Sequence, residues 1–485
     1  MTAANLLHIL PLIVLAAGSV VGMLAIAAHR SHNLTFAIAL LTLVLSFLGL
    51  HYELLGQGES VAGLIQLDGY AAFFTGLMLV AGIAVTLMAR GYMGWCSVFP
   101  EECYLLILIA VLGCAVLVSS IHFVSFFLGL ELLTVSLYVL IAYCRSGPRD
   151  IEAGLKYFIP AATSSAFLLF GMSLIYAQTG TMLLPGLVRP AQTPGGPMSL
   201  FTLVGAGMIL TAIGFKLALA PFHLWAADVY EGSPDPVTAL VATASKGAVF
   251  ALLLRYFGAL GIQTHEPFLF ILTAVAILTM FLGNLLALLQ NNLKRLLAYS
   301  SISHLGYLLI ALMAGGPAGE TAAMFYLLAY FITILGAFGV MVALSGEALD
   351  AHTIVGCRGL ASRHPFLGAV LALMMFSLAG IPLTAGFLGK FYVVLAGAQS
   401  RLWLLVLALV VNSVLGLFYY LRVVIAIYQP IPVASPDVAP APARVRRRAP
   451  LTFGLLAALV IALIWLGVYP GPAIRLIESL QGTLR

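Results

Sequence analysis

The sequence predicts an all-α polytopic membrane protein with about 14 transmembrane helices. Three observations predict this class: the chain is 62% hydrophobic and only 8% charged, its mean hydropathy is +1.11, and apolar runs of spanning length recur between short polar breaks. Since one spanning helix needs about 20 apolar residues, these runs use most of the 485 residues. No room remains for a sizeable soluble domain, which argues against nucleotide chemistry, a flavin domain or nucleic-acid binding on this chain.

The candidate helices are delimited by polar residues, glycines and prolines. They are expected at roughly 4–28, 33–52, 68–90, 103–120, 122–143, 154–178, 199–221 with a continuation to 230, 235–259, 267–289, 296–314, 320–346, 366–397, 402–428 and 451–469. We group them into residues 1–100 with helices 1–3, 101–260 with helices 4–8, 261–430 with helices 9–13, a basic cytoplasmic linker at 431–450, and 451–485 with helix 14.

The distribution of lysine and arginine predicts the orientation. With the N-terminus outside, thirteen basic residues fall in loops on the cytoplasmic side: Arg30, Arg90, Arg145, Arg149, Lys294, Arg295, Arg358, Arg363, Arg422, Arg444, Arg446, Arg447 and Arg448. Five fall outside: Arg189, Arg255, Arg401, Arg475 and Arg485. This bias follows the positive-inside rule, and an even number of helices places both termini on the outer side. Arg255 and Arg422 close predicted spans and are expected to reach the interface.

Ionisable residues inside the predicted spans are the candidates for chemistry. They are Glu131 in helix 5, Lys156 in helix 6, Lys216 in helix 7, Lys246 in helix 8 and Lys390 in helix 12. A charge near the bilayer centre costs a few kcal/mol, so such residues usually have a function. Four of the five lysines of the chain would therefore lie within the membrane.

An internal repeat predicts transporter-like architecture. YVLIAYCRSGPRDIEAGLKY, beginning at Tyr138, aligns without gaps with YLLIALMAGGPAGETAAMFY, beginning at Tyr307. Five predicted helices separate the copies, and because this number is odd, the copies would cross the membrane in opposite directions. The sequence thus predicts two inverted five-helix repeats, an arrangement in which ion sites lie near broken helices.

Each repeat contains a candidate broken helix beside a lysine. Pro221 lies in helix 7 five residues after Lys216, and Pro382 lies in helix 12 eight residues before Lys390. A proline removes one helical hydrogen bond, and the freed carbonyl needs a polar partner. We expect helices 7 and 12 to be broken at these prolines.

The buried charges could transfer protons. Burial disfavours the charged form of an amine, whereas a nearby carboxylate favours it. Glu131 and Lys216 would then form a switchable pair, with Lys246 as the relay and Lys390 as the terminal group. Lys156 could be an extra relay, a partner of Glu131, or only a packing or assembly element.

The remaining polar candidates carry weaker expectations. His223 and His304 could be structural or could relay protons, whereas Asp228, Glu231 and Asp235 are expected to be solvated loop charges or, alternatively, a proton entry. The five cysteines form no C-x-x-C pair. We interpret them as small apolar residues in helices, and we expect no metal site.

Four motifs resemble the antiporter-like subunits of respiratory complex I, the NADH-quinone oxidoreductase. They are LGLELLTVSLYVLIA with Glu131, GFKLALAPFHLWAADVYEGSPDPVTALVATASKG with Lys216 and Lys246, NNLKRLLAYSSISHLGYLLIA with His304, and AGIPLTAGFLGKF with Lys390. The motifs appear in the family's order and span roughly residues 100–430. Among the paralogous branches L, M and N, the chain is most similar to N, because position 246 is lysine and no long lateral helix follows helix 14.

The resemblance implies a function that the residues alone do not. It implies a proton-translocating membrane subunit of a bacterial inner-membrane complex, with Glu131 and Lys216 as the central pair, Lys246 connecting and Lys390 terminal. It further implies that NADH, FMN, iron–sulfur clusters and quinone are bound by partner subunits, with no cofactor on this chain. Other membrane and peripheral subunits, including paralogous antiporter-like ones, would be partners together with the lipid bilayer.

Three alternatives share some or all of these features. A subunit of a Mrp-type cation/proton antiporter carries the same motifs without redox partners. A membrane subunit of a related hydrogenase, or of a ferredoxin- or F420-linked oxidoreductase, differs in its electron donor. A purely structural scaffold would need no mobile charge.

Overall fold

The computed structural model describes residues 7–55, 60–96, 99–144, 148–184, 199–260, 266–345, 352–430 and 450–481. Nearly all of the expected linker at 431–450 lies outside these residues, together with Arg145, Arg189, Arg485 and the cluster Arg444, Arg446, Arg447 and Arg448. Expectations about those positions therefore remain predictions.

Almost every described residue is helical, as the composition predicts. The first half of the chain contains α1 Leu10–Ala28, α2 His32–Leu55, α3 Gly69–Cys96, α4 Glu101–Ser119, α5 Phe123–Ile141, α6 Pro148–Thr179, α7 Leu200–Leu217, α8 Leu224–Gly232, α9 Asp235–Leu240 and α10 Lys246–Leu260. A π-helical turn, Val241–Ser245, joins α9 to α10. Two short strands, β1 Ser60–Val61 and β2 Ile65–Gln66, form an antiparallel hairpin before α3.

The second half continues the bundle. Its helices are α11 Glu266–Leu288, α12 Leu293–Ala314, α13 Gly316–Leu344, α14 Leu360–Arg363, α15 Pro365–Ala379, α16 Ala385–Gln399, α17 Trp403–Tyr428, α18 Pro450–Val468 and α19 Gly471–Gln481. Within the described ranges, 13 helices are long and apolar enough to cross a membrane. With α15 and α16 counted as one interrupted crossing, the structure agrees with the predicted number of about 14.

Both predicted helix breaks are present. The break between α7 and α8 contains Pro221, and the break between α15 and α16 contains Pro382. Ala218 and Gly380, which end the first half of each broken helix, have positive φ angles of 55° and 83°. This left-handed conformation ends a helix, and it is most easily adopted by glycine.

The order of the long helices is the same in the two predicted repeats. In residues 101–260 and again in 261–430, three long helices precede a broken helix and one further crossing, whereas the short helix α14 occurs only in the second half and the π-helical turn only in the first, among the described residues. The prolines of the two aligned segments also occupy equivalent places, because Pro148 begins α6 and Pro317 is the second residue of α13. The inverted relationship between the repeats remains a prediction.

The centre of the bundle is formed by the crossing Asp235–Phe257 together with α12 and α13. In Asp235–Phe257, every residue of the most apolar 18-residue stretch is buried. The buried share of the corresponding stretch is 94% in α12 and 89% in α13. In α1 the corresponding share is 22%, which places that helix at the periphery. The innermost helices are therefore the ones that carry Lys246 and His304.

Two expectations about individual residues were wrong, and one helix was not predicted. Arg255 does not reach an interface but is buried, with its guanidinium 2.8 and 2.9 Å from the two carboxylate oxygens of Asp68. Cys96 and Cys144 are not separate apolar residues, because a disulfide joins them at the ends of two helices. The α-helix that follows the last span, α19, was not predicted. Hydropathy alone does not reveal the partner of a buried arginine or of a cysteine.

Candidate functional site

Lys216 lies in the last turn of α7, immediately before the first helix break. Its side chain is buried, and its ammonium group donates a hydrogen bond of 2.6 Å to the hydroxyl of Thr134 on α5. The ring centroids of Tyr157 and Phe215 each lie 5.9 Å from the ammonium nitrogen of Lys216, within the range of a cation–π interaction. The break therefore ends beside an ammonium group that has one polar partner and aromatic walls.

Glu131 does not contact Lys216 directly. The Glu131 carboxylate accepts a hydrogen bond of 2.5 Å from Ser165 on α6, and no ion pair within 4.0 Å joins it to Lys216. Thr134 follows Glu131 by three residues on α5, so the two side chains share a helix face. Glu131 and Lys216 are therefore not joined in a salt bridge, and each has its own hydroxyl partner, Ser165 and Thr134 respectively.

Lys246 begins α10, directly after the π-helical turn. Its side chain is 2% exposed, and its ammonium group donates a hydrogen bond to the hydroxyl of Ser301 on α12. Tyr230 completes the site, because its hydroxyl lies 3.3 Å from Ser301 and its ring centroid lies 5.3 Å from the ammonium nitrogen. A π-turn often marks a functional position in a helix.

His304 is at the centre of a hydroxyl network on α12. Its ring nitrogens lie 2.6 Å from the Tyr326 hydroxyl and 3.1 Å from the Tyr420 hydroxyl. Tyr420 also hydrogen-bonds Ser300, which precedes His304 by one helical turn. The imidazole thus has a hydroxyl at each nitrogen, which suits both a fixed structural role and proton transfer.

Lys390 bridges the second helix break. Its ammonium group donates hydrogen bonds of 2.9 Å to the carbonyl oxygens of Leu378 and Ala379, the last two residues of α15. These carbonyls cannot bond within α15, because the helix ends there. Gly380 permits the approach, since a Cβ at this position would lie 3.0 Å from Cδ of Lys390.

A small cavity separates His304 from the second break. It has a volume of about 10 Å³ and is lined by His304, Tyr330, Thr333, Ser377 and Leu378, among others. A cavity of this size is close to the minimum space for one water molecule, and most of its wall is apolar. Leu378 also accepts the hydrogen bond from Lys390, so this cavity lies between the imidazole and the terminal lysine.

Along the predicted proton path, polar groups are closely spaced between Lys246 and Lys390 and sparse between Lys216 and Lys246. From Lys246 onward, Ser301, the His304 network and the small cavity lead towards Lys390. Within the described part of the chain, no side-chain hydrogen bond connects Lys216 to Lys246. The ring of Trp225 instead packs 5.5 Å from that of Phe215 beside Lys216.

Lys156 occupies a different place from the one expected. Its side chain is 43% exposed, and its ammonium group pairs with Glu152 at 2.7 Å and with Asp228 at 2.6 Å. The expected partnership with Glu131 was therefore wrong. Arg295 joins the same group through ion pairs to Asp228 at 2.6 Å and to Glu231 at 2.8 Å. We call Glu152, Lys156, Asp228, Glu231 and Arg295 the ionic cluster.

The ionic cluster alters the titration of its own members. Asp228 lies on α8, and although burial favours its neutral form, hydrogen bonds from Lys156 and Arg295 outweigh this and hold the pKa of Asp228 below its usual value. Asp228 is therefore an anion at neutral pH. The expectation of a purely solvated loop charge was wrong here, because the carboxylate has two cationic partners.

Asp235, expected in a solvated loop, is instead completely buried at the start of α9. Lys294, which is also buried, lies 3.0 Å from Oδ1 of Asp235 and donates a hydrogen bond of 2.5 Å to the carbonyl of Ser233. The imidazole of His352 lies 3.9 Å from Oδ2 of Asp235. Burial, together with the Lys294 charge, lowers the pKa of His352 despite the opposing carboxylate.

Several residues of the site were not identified from the sequence. They are hydroxyl-bearing or basic side chains that hydropathy treats as ordinary: Thr134, Ser165, Tyr230, Lys294, Ser301, Tyr326 and Tyr420. The tyrosine at 326 was visible as one end of the repeated segment, but nothing in that pattern indicated its histidine partner.

Comparison with known proteins places this arrangement in a family. The family profile described as "NADH:quinone oxidoreductase/Mrp antiporter, TM" matches residues 120–416, which include every lysine named above. The chain belongs to this family. The matched range begins before α5 and ends within α17, so it covers both helix breaks of the NADH:quinone oxidoreductase/Mrp antiporter fold.

Relatives of nearly equal length support the assignment. The NADH-quinone oxidoreductase subunit N of Ectopseudomonas mendocina is 45% identical over 491 aligned positions, covering 99% of this chain and 97% of the relative. The subunit N of Nitrosospira multiformis is also 45% identical, with the same shares covered. The similarity therefore extends over the whole chain.

Solved structures of the family share the fold. A chain of respiratory complex I from Thermus thermophilus is 33% identical, with a TM-score of 0.80 and coverage of 96% of this chain and 98% of that one. A chain of the Mrp complex from Dietzia sp. has a TM-score of 0.83 at 21% identity, covering 100% and 98%. The second likeness concerns the fold alone.

Proposed function

We propose that this chain is the proton-translocating subunit N of an NADH:quinone oxidoreductase. The observation that carries the proposal is the set of three buried lysines, Lys216, Lys246 and Lys390, each with its ammonium group on a hydroxyl or carbonyl oxygen. Both relatives named above are called subunit N, and this chain aligns with nearly their full length. This favours subunit N over the Mrp-type antiporter.

The mechanism uses the ammonium groups as successive proton carriers. Glu131 stabilises the charged form of Lys216 through space, and Thr134 holds the ammonium group in place. A movement that takes Glu131 away releases the proton from Lys216 towards Lys246. Transient hydration must bridge the segment between these two lysines, because no side-chain hydrogen bond connects them within the described part of the chain.

The second half of the route is closely lined with polar groups. A proton that leaves Lys246 meets Ser301, and His304 lies one helical turn further along α12. One water in the small cavity would connect the imidazole with the carbonyl-bound Lys390. In this scheme His304 is a relay, and the ionic cluster with Lys156 and Asp228 lies at the entry side.

The energy for transport must come from elsewhere. Each elementary charge moved against 100 mV costs about 2.3 kcal/mol. We assign that supply to partner subunits that bind NADH, FMN, iron–sulfur clusters and quinone. The partners would include paralogous antiporter-like subunits in a bacterial inner membrane, with both termini of this chain on the periplasmic side as the basic residues predict.

The proposal is tested with Lys216→Ala and Lys390→Ala in inverted membrane vesicles. The measurement is the NADH-driven proton gradient, followed by quenching of an acridine dye, together with the rate of NADH oxidation. We expect several-fold losses of both in each variant. Arg401→Ala is the matched control, because it removes an exposed cation outside the site and should leave both rates unchanged.

Three results would contradict the proposal. Wild-type gradients and coupled turnover in both lysine variants would favour the structural scaffold. A purified complex without flavin and iron–sulfur absorbance would favour the Mrp-type antiporter, and a different electron donor would favour a hydrogenase-, ferredoxin- or F420-linked complex. Replacing Na⁺ by K⁺ in the same assay distinguishes sodium from proton transport.

A further inference from the structure

A cleft beside the end of α17 combines two arginines with an apolar wall. It has a volume of about 480 Å³ and is bounded by α17 on one side and by residues 354–358 on the other. Arg358 and Arg422 contribute the charges. Phe418, Ile425 and Val355 contribute exposed apolar side chains. We call this site the arginine cleft.

Neither arginine of the cleft is neutralised within the described ranges. Arg358 has no ion pair or side-chain hydrogen bond there, although its side chain is half-buried. Arg422 donates hydrogen bonds to the carbonyls of Leu288 and Gln290, and its Nε is buried without a partner. Two guanidinium groups at one cleft with no carboxylate indicate an anionic ligand, and the planar fork of arginine suits a phosphate.

The depth of the cleft indicates what kind of phosphate would bind. Arg422 precedes the end of α17 at Tyr428 by six residues, or about 9 Å along the axis, and Phe418 by ten, or about 15 Å. One leaflet of the hydrocarbon core is about 15 Å thick. Since Gly359, the residue after Arg358, donates its amide to the carbonyl of Gln429, Arg358 lies at the end of α17, and the cleft extends from there along the helix to the exposed Phe418.

We propose that the arginine cleft binds an anionic phospholipid from the surrounding leaflet. Its phosphate lies against the guanidinium groups of Arg358 and Arg422, and one acyl chain lies along the exposed Phe418. A free phosphate would use only the arginines and would leave the apolar wall uncovered. A neutral partner helix would cover the wall but would leave both charges without counter-ions.

The cleft is also adjacent to the segment that carries His352. The amide of Ile354 donates to the carbonyl of Asn291, and the carbonyl of His352 accepts from Leu293, one residue before Lys294. A lipid held at Arg358 would therefore contact the segment that positions His352. The proposal nevertheless stands independently of proton transport, because it requires only that the chain lies in a membrane.

Photo-crosslinking tests the proposal on the intact complex. The complex is reconstituted in phosphatidylcholine vesicles that contain either phosphatidylglycerol or phosphatidylcholine with a photoreactive acyl chain. Crosslinked peptides are then mapped by mass spectrometry. We expect the phosphatidylglycerol probe to label residues 418–428 and 354–358 more strongly than the neutral probe does.

Arg358→Gln is the informative variant, because the Arg358 side chain has no described partner whose loss would disturb folding. Loss of one charge-assisted hydrogen bond should reduce labelling by phosphatidylglycerol about tenfold. Arg401→Gln removes one exposed cation elsewhere and should leave labelling unchanged.

Four outcomes would overturn the proposal. Equal labelling by the neutral and anionic probes would mean that charge is not recognised. Unchanged labelling of Arg358→Gln would exclude Arg358 from the site, and absence of labelling in the cleft would mean that another subunit covers it. If inorganic phosphate alone removes the labelling, the cleft is a site for a free anion rather than for a lipid.

Discussion

The ammonium group of Lys390 lies 2.9 Å from the carbonyl oxygen of Leu378, on the opposite half of the same broken helix. The lysine thus joins α16 to the end of α15 and occupies two carbonyls that the break exposes. A buried charge is held here by backbone dipoles rather than by a carboxylate. Such an ammonium group can lose its proton without leaving a buried carboxylate that lacks a cationic partner.

Lys390→Arg separates a structural role from a proton-transfer role. Arginine keeps a positive donor for the two carbonyls, but it stays protonated in proteins and cannot transfer a proton. We expect the complex to assemble in normal amounts while NADH-driven proton pumping falls several-fold. Assembly is measured by blue native electrophoresis and pumping by dye quenching. Normal pumping by this variant would show that Lys390 is only a structural link.

Thr134→Val tests the hydroxyl that accepts the hydrogen bond from Lys216. Valine has nearly the same shape but cannot accept the 2.6 Å hydrogen bond from Lys216. A hydrogen bond to a charged group is worth about 1.5–3 kcal/mol, so we expect the rate of proton pumping to fall about tenfold. Thr134→Ser keeps the hydroxyl and should pump nearly as well as the wild type. Equal loss in both variants would mean that packing, not the hydroxyl, matters.

Arg255→Ala should destabilise the bundle. It would leave Asp68, which is completely buried, without its bidentate partner. Breaking a buried ion pair on one side costs about 3–5 kcal/mol. The midpoint of thermal unfolding in detergent should fall accordingly.

A double variant provides the control for this pair. Arg255→Met combined with Asp68→Leu removes both charges and should recover most of the lost stability. The recovery should be incomplete by about 1 kcal/mol, because Asp68 also accepts a hydrogen bond from the amide of Ala71 at the start of α3. A double variant as unstable as Arg255→Ala would contradict this explanation.

His352 should make stability depend on pH in the acidic range. Burial and the Lys294 charge lower the pKa of His352 from its ordinary value of 6.5. Below pH 6.5 the unfolded chain therefore binds a proton that the folded chain does not. Stability should decrease as the pH falls through the folded pKa and should be unaffected by this residue at higher pH.

His352→Gln provides the comparison for that dependence. Glutamine does not titrate, so the unfolding temperature of this variant should fall less between about pH 7.5 and 5 than that of the wild type. Arg401→Gln, on an exposed residue, should retain the wild-type slope. Identical slopes for His352→Gln and the wild type would show that His352 has its ordinary pKa in the folded state.

The helices and their breaks were predictable because they depend on local composition. Long apolar runs specify spanning helices, and Pro221 and Pro382 locate the breaks. The boundary between α4 and α5 was also placed correctly, since His122 caps α5 by accepting a hydrogen bond from Val124. Each of these features is a property of a short stretch of chain.

The partners of the charged residues were less predictable. Lys156 lies at the surface with Asp228, Lys294 is buried against Asp235, and Arg255 is paired with a residue 187 positions away. Hydropathy assigns each residue a depth along one helix. Hydropathy gives no information on which helix packs opposite a charged residue, or on whether that helix carries a carboxylate.

Local sequence was enough to establish a membrane protein with about 14 spans, two broken helices and buried lysines at Lys216, Lys246 and Lys390. These properties follow from the free energy of placing apolar and charged residues in a bilayer, which acts residue by residue. By contrast, the hydrogen bonds of Lys216 to Thr134 and of Lys390 to backbone carbonyls, and the place of Lys156 in the ionic cluster, follow from the packing of the helices. Hydrogen bonds and ion pairs depend on distances of about 3 Å between helices that are far apart in the chain, and packing alone sets those distances.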